Sequence, residues 1–361
     1  MIPIAKPIIE EAEKAAVLNV LDSGVLAGGE VVAEFERSFA DYIGVQHGIA
    51  TSCGTTALEI ALRALGIGTG DKVITTVFSF IASANSILYT GAVPAFADID
   101  PLTFNITADS IAAALDKYPD SRAVLIVHLF GQSCDMDAIK KLTKERGLLL
   151  IEDCSQAHGA KWKGKKVGSF GNAATFSFYP TKNMTTGEGG MVVTNNDETA
   201  DKARLLINHG MKMRYKHDVL GYNYRMTNIA AAIGIEQLRR LDGFNVKRRE
   251  NANVFNAHIN NPLVMLPSIS PDALHVFHQY SIRIKNAKRR ELIGLLERER
   301  IGYGVFYPTT IPEQSYYAKL GFNTTWENAD IVKEQILSIP VHPLLTKDDL
   351  YRVVGIVNSL E

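Results

Sequence analysis

The hydrophobic pattern of this chain changes period many times, and each change marks an element. EEAEKAAVLNVLDSG carries apolar residues at helical spacing and stops at Gly24, so it predicts an amphipathic helix. HGIATS predicts a strand, and GTTALEIALRALG directly after it a helix. DKVITT predicts a short strand, followed by a helix in SFIASANSILYTG. PAFADID predicts the next strand, with Pro101 discouraging its continuation, and ADSIAAALDK the next helix. RAVLIVHLFG predicts a strand, DMDAIKKLTKERG a helix ending at Gly147, and LLLIEDCSQAHG a strand running into a loop.

Strands alternating with helices of this length predict βαβ units and a mostly parallel sheet. AVLIV and LLLI are apolar at every position, as expected of strands covered by helices on both faces. Beyond residue 195 helices dominate, in DETADKARLLINHG and in the long run MTNIAAAIGIEQLRRLDGFNVKRRENANVFNAHI. The strand-like FHQYSIRIK and the helix RRELIGLLERERIG follow. At 361 residues the chain is too long for one comfortable core. The pattern therefore predicts an α/β protein with a large domain over residues 1–242 and a smaller one over 243–361. No repeat of fixed period and no low-complexity run is visible.

Composition narrows the function classes. Hydrophobic residues make up 46% of the chain, enough for a large core. The 38 basic and 39 acidic residues leave a net charge of −1. That balance offers no footprint for nucleic acid or an anionic membrane, so a charged substrate must be met by local groups. The longest apolar runs fall far short of a membrane span, and the start lacks the layout of a secretory signal. The three cysteines, Cys53, Cys134 and Cys154, are odd in number and contain no CxxC pair. They predict a reducing compartment, hence a cytoplasmic protein, and argue against a disulfide frame or a cysteine zinc site.

Candidate chemistry centres on FSFYPTKNMTTGEGG, residues 176–190, with its single amine, Lys182. Most lysines are solvated surface groups. Apolar residues before this one and glycines after it predict a poorly solvated amine with a lowered pKa, a nucleophile toward aldehydes. In IEDCSQAHGA, Asp153 ends an apolar strand at the carboxyl edge of the sheet, where open α/β folds bind ligands. It either caps the following turn or aims its carboxylate at a ring nitrogen, as a pyridoxal phosphate site requires. In TSCGTTALEIAL, Thr55 and Thr56 either cap a helix or, with its free N–H groups, cradle a phosphate. No G-x-G-x-x-G and no Walker-type lysine is present. Phe80, just after a strand, is either a core residue or a stacking platform for a flat ring. Asn223 and Arg225, before an alanine-rich helix, form a turn with a cap or donate to a phosphate across a subunit interface. Taken in order, these features make one site: phosphate cradle, ring stack, ring-nitrogen acid, imine lysine and further phosphate donors.

The chain resembles the DegT/StrS-type family of pyridoxal-phosphate aminotransferases that act on nucleotide-linked keto-sugars. The likeness runs nearly end to end, through TSCGTTALEIALRALGIGTGDKVIT, VHLFGQSCDMDAI, IEDCSQAHGA, GSFGNAATFSFYPTKNMTTGEGGMVVTN, GYNYRMTNIAAAIGIEQL and ILSIPVHPLLT. The resemblance implies a fold-type I aminotransferase: a large domain with a mostly parallel mixed sheet flanked by helices, plus a smaller α+β C-terminal domain. It also implies pyridoxal 5'-phosphate as cofactor and a homodimer with a shared active site. Position by position, it implies that Lys182 is the Schiff-base lysine, Asp153 the pyridinium partner and Gln156 a contact of the ring's phenolic oxygen. Phe80 matches the stacking aromatic, and Thr55, Thr56 and Ser177 match phosphate contacts. Asn223 would reach the phosphate from the partner subunit. Ser177 lies five positions before Lys182, the spacing of the family motif.

One position departs from the family. Many relatives carry a histidine where this chain has Phe306, on the substrate side of the site. Another branch replaces the lysine by histidine and dehydrates sugars, so Lys182 points to transamination. The expected reaction carries an amino group from an amino acid, L-glutamate by resemblance, to a nucleotide-linked keto-sugar. Two other readings stand beside it: amination of a carbocyclic or aromatic precursor, and a non-catalytic regulator that binds the same cofactor.

Overall fold

The computed structural model describes residues 1–322 and 324–361. Two helices, α1 (Glu11–Ser23) and α2 (Glu30–Ile43), precede the first strand, β1 (His47–Thr51). The helix predicted to stop at Gly24 does so, with that glycine in the left-handed region at φ 69°. Strand and helix then alternate: α3 (Gly54–Ala64), β2 (Lys72–Thr76), α4 (Ala82–Tyr89), β3 (Val93–Ala97), α5 (Ala108–Lys117), β4 (Ala123–Val127), α6 (Met136–Glu145) and β5 (Leu149–Asp153). A small hairpin, β6 (Lys161–Trp162) and β7 (Lys165–Lys166), leads to β8 (Ala173–Ser177) and β9 (Gly190–Thr194). After α7 (Asp197–Ile207) comes a second hairpin, β10 (Met211–Met213) and β11 (Lys216–His217).

The large sheet has seven strands in the order β1-β9-β8-β5-β4-β2-β3. β9 runs antiparallel to both of its neighbours, and the other pairings are parallel. The sheet is thus mostly parallel and mixed, as expected. All five positions of β4 are buried, because helices cover both faces. Register aligns the chemistry at one edge: Thr51 pairs with Gly190, Gly190 with Ser177, and Val127 with Asp153.

The remaining elements are α8 (Asn228–His258), β12 (Val264–Met265), β13 (Ala273–Leu274), β14 (Tyr280–Ile284), α9 (Arg289–Arg298), α10 (Ser315–Lys319), α11 (Glu327–Gln335), β15 (Ile336–Ile339) and α12 (Lys347–Asn358). β12, β14 and β15 form a three-stranded antiparallel sheet. Helix α8 is unbroken through residue 242. Its early residues Ala231, Ile235 and Leu241 pack with Phe35, Phe39, Phe176 and Phe178. Its later residues Ala252 and Phe255 pack with the C-terminal sheet and α12. The chain also crosses back: Ile2 joins the C-terminal core, while Ile311, Tyr317 and Val332 pack against the large sheet.

Candidate active site

The site is built on the carboxyl edge of the large sheet. Helix α3 starts immediately beyond β1. Cys53 is extended at its N-cap, and Thr56 closes a reciprocal cap, its Oγ1 accepting from Cys53 N at 3.1 Å. The Thr56 hydroxyl also donates to Cys53 O at 2.9 Å, so its capping role is real. Among the described residues the Thr55 hydroxyl has no side-chain partner, and the first N–H groups of a helix lack intrahelical acceptors. Ser177, at the end of β8, stands against this helix start. A Cβ at Gly54 would lie 2.6 Å from Ser177 Cβ, and one at Gly190 would lie 2.3 Å from Cys53 O. Only glycine permits this approach, which brings the Ser177 hydroxyl to the N-terminal N–H groups of α3.

Lys182 lies in the turn after β8, not on the strand. Its N–H closes that turn onto Tyr179 O at 2.9 Å. The residue is partly buried, and among the described residues its amine has neither hydrogen bond nor ion pair. Loss of solvent pulls the amine down to about 8, against the smaller opposing pull of the Asp153 carboxylate. Asp153 is 4% exposed. Its Oδ1 accepts from Ser155 N at 3.0 Å and its Oδ2 from the Ser83 hydroxyl at 2.8 Å. It therefore does cap the next turn, and the other oxygen is oriented by α4.

The preceding residue, Glu152, fixes the end of β5. Burial opposes its ionisation, but His128 and the N–H groups of Gly168 and Gly171 hold the carboxyl below its ordinary range. Phe170 N also donates, at 2.8 Å. His128 Nδ1 accepts from Cys134 N, so its Nε2 carries the proton donated to Glu152 at 3.0 Å. His128, Glu152 and Cys154 lie close enough together to share an ion, yet this carboxylate is already filled with hydrogen bonds.

Gln156 accepts from Phe130 N at 2.8 Å through Oε1 and donates to the Tyr307 hydroxyl at 3.2 Å through Nε2. Phe80 is 57% exposed at the sheet edge, so it is not a core residue, and its ring centroid lies 6.5 Å from that of Tyr307. Tyr307 thereby brings the C-terminal part of the chain onto Gln156 and Phe80. Phe306 packs over Gly304. Asn223 is exposed, and its Oδ1 accepts from Arg225 Nη2 at 2.8 Å. Its segment runs beside the α3 start of the same chain, where Ser52 N donates to Tyr224 O at 2.7 Å. The Asn223 side chain turns to Arg225.

Two contributors escape sequence reading. Ser83 meets Asp153 across 70 positions, and Tyr307 meets Gln156 across 151. A serine in an apolar helix start and a tyrosine before a proline carry no pattern that announces either contact.

The profile of the DegT/DnrJ/EryC1/StrS aminotransferase family matches residues 7–358. The chain belongs to that family. It is 41% identical to GDP-perosamine synthase of Caulobacter vibrioides, over 99% of this chain and 98% of the relative. It is also 41% identical to a protein of Geobacillus stearothermophilus described as a pleiotropic regulatory protein, over 95% and 94% of the two chains. The structure of NtdA from Bacillus subtilis with bound cofactor PMP superposes with a TM-score of 0.89 at 31% identity, covering 97% of this chain and 82% of that one. The α/β architecture with its large mixed sheet is the architecture of this aminotransferase family, as the resemblance implied.

Proposed function

We propose that this aminotransferase uses pyridoxal phosphate to move an amino group from L-glutamate to a nucleotide-linked keto-sugar. The observation that carries the reading is Lys182: a poorly solvated amine pulled down to about 8, without an ion pair among the described residues, close to a buried carboxylate at the sheet edge. The residues present fit the cofactor. Ser177, Thr55 and the start of α3 would hold the phosphate, Phe80 and Gln156 would contact the ring, and Asp153 would meet its nitrogen. When bound, pyridoxal phosphate supplies an aldehyde that condenses with amines and a protonated ring that withdraws electrons. Asp153 would keep the ring nitrogen protonated. The Lys182 amine would serve as the base that takes a proton from the amino-acid α-carbon and as the acid that returns it during the transfer.

A second copy of the chain completes the site in this reading. Asn223 then reaches the phosphate from the neighbouring subunit. The exposed apolar residues Tyr215 (78%) and Leu220 (82%), on and beside the β10–β11 hairpin, suit burial in a homodimer. The three free cysteines suit a reducing cytoplasm. The specific test is optical. With pyridoxal phosphate the purified protein develops a visible band that glutamate bleaches and a nucleotide-linked keto-sugar restores. Lys182→Ala abolishes both; if that variant turns over at the parent rate, the assignment is wrong.

The regulator reading has one specific support, the description of the Geobacillus relative. It predicts bound cofactor whose band glutamate leaves unchanged. A carbocyclic or aromatic acceptor predicts bleaching by glutamate and no recovery with any keto-sugar.

A further inference from the structure

Behind Lys182 runs a chain of buried amides whose direction is fixed by backbone carbonyls. Asn245, on α8, donates Nδ2 to His158 O at 2.8 Å. A carbonyl can only accept, so Asn245 must turn Oδ1 toward Asn183. Asn183 is 4% exposed and immediately follows Lys182. It donates Nδ2 to that Oδ1 at 2.8 Å and to Val276 O at 3.0 Å. Its own Oδ1 therefore faces His278 Nδ1 at 3.3 Å and requires a proton there. His278 is consequently the Nδ1–H tautomer, with Nε2 left as an acceptor. Arg248 holds the same loop, donating to Phe277 O at 3.2 Å and His278 O at 3.4 Å, and has no carboxylate partner among the described residues. Burial, and then the charges of Lys182 and Arg248, keep His278 neutral.

We propose that Asn183 is a positioning residue: its amide locks the lysine turn to the 276–278 loop and to Asn245 of α8, which in turn holds the His158 loop next to Asp153 and Gln156, and it sets the tautomer of His278. The relay holds the turn in place and keeps water from the amine. The proposal rests on the reading of Lys182 as the reactive amine.

The test uses trace acetylation of the cofactor-free protein across pH, read on the Lys182 peptide by mass spectrometry. Asn183→Ala and His278→Phe each raise the half-labelling pH of Lys182 by about one unit, as the amine regains water. His278→Asn keeps a side-chain N–H in the Nδ1 position and leaves the midpoint near that of the parent. If the variants melt earlier but the midpoint stays put, the relay only props up the fold and the proposal is overturned. Should Asn183→Ala not fold, the His278→Phe and His278→Asn pair decides alone. Addition of pyridoxal phosphate to the parent separates the two claims: failure to develop a visible band removes the cofactor reading and leaves the labelling result standing.

Discussion

At the residue scale the site works by withholding solvent. Lys182 has a folded-state pKa below that of an unfolded lysine, so the unfolded chain binds the extra proton between about pH 8 and pH 10.5. Stability of the cofactor-free protein therefore rises with pH across that window. Lys182→Met is expected to be more stable than the parent at pH 7, with the advantage shrinking as pH climbs from 8 to 10.5; urea midpoints at several pH values check this. Ser83 is the second lever. Removing a hydrogen bond to a buried carboxylate costs about 1.5–3 kcal/mol, so Ser83→Ala should lower unfolding free energy by that order and slow turnover without abolishing cofactor binding. Denaturant titration and cofactor absorbance measure the two effects separately. Lys182 and Asp153 were legible as candidates because each sits in a short local pattern. Ser83 was not, because its partner lies 70 positions away.

At the scale of elements, close approach of backbones shapes the candidate phosphate site. The first residue of α3 touches the last residue of β8, and no side chain fits between Gly54 and Ser177. Gly54→Ala should force these elements apart, lowering stability by about 1–3 kcal/mol and weakening phosphate binding to the cofactor-free protein. Thermal unfolding with and without inorganic phosphate tests both parts. Glu152 plays the corresponding role for β5. Glu152→Gln would place an amide N–H group against backbone donors, and about 1–3 kcal/mol of stability should be lost. Denaturant melts and the exchange rates of the Gly168, Phe170 and Gly171 amides report that change. The strand and helix periods gave these elements their places. The contact between Gly54 and Ser177 needed the register of β1, β9 and β8.

At the scale of the whole molecule, α8 joins two cores, and the chain buries the histidines His158, His275 and His278. Burial holds His158 and His275 down at about 3, and His278 well below its ordinary value. The unfolded chain takes up protons at these positions below about pH 6.5 while the folded chain resists. Stability must fall as pH drops from 6.5 toward 3, by about 1.4 kcal/mol per pH unit for each histidine that titrates only when unfolded. Urea unfolding between pH 7 and pH 5 should show that slope, and replacing His275 by an apolar residue should flatten it. The amino-acid sequence by itself determined the alternation of strand and helix, the buried parallel strands, the carboxylate at the end of its strand and the lysine in the segment that follows another. All of these are written in local periodicity and short motifs. Only the tertiary structure decided that Thr56 caps its helix, that Phe80 stands exposed, that Tyr307 reaches Gln156, and that Asn183 ties the lysine turn to α8. Those contacts join residues far apart in the chain, and their geometry exists only once the sheet register and helix packing have brought the segments together.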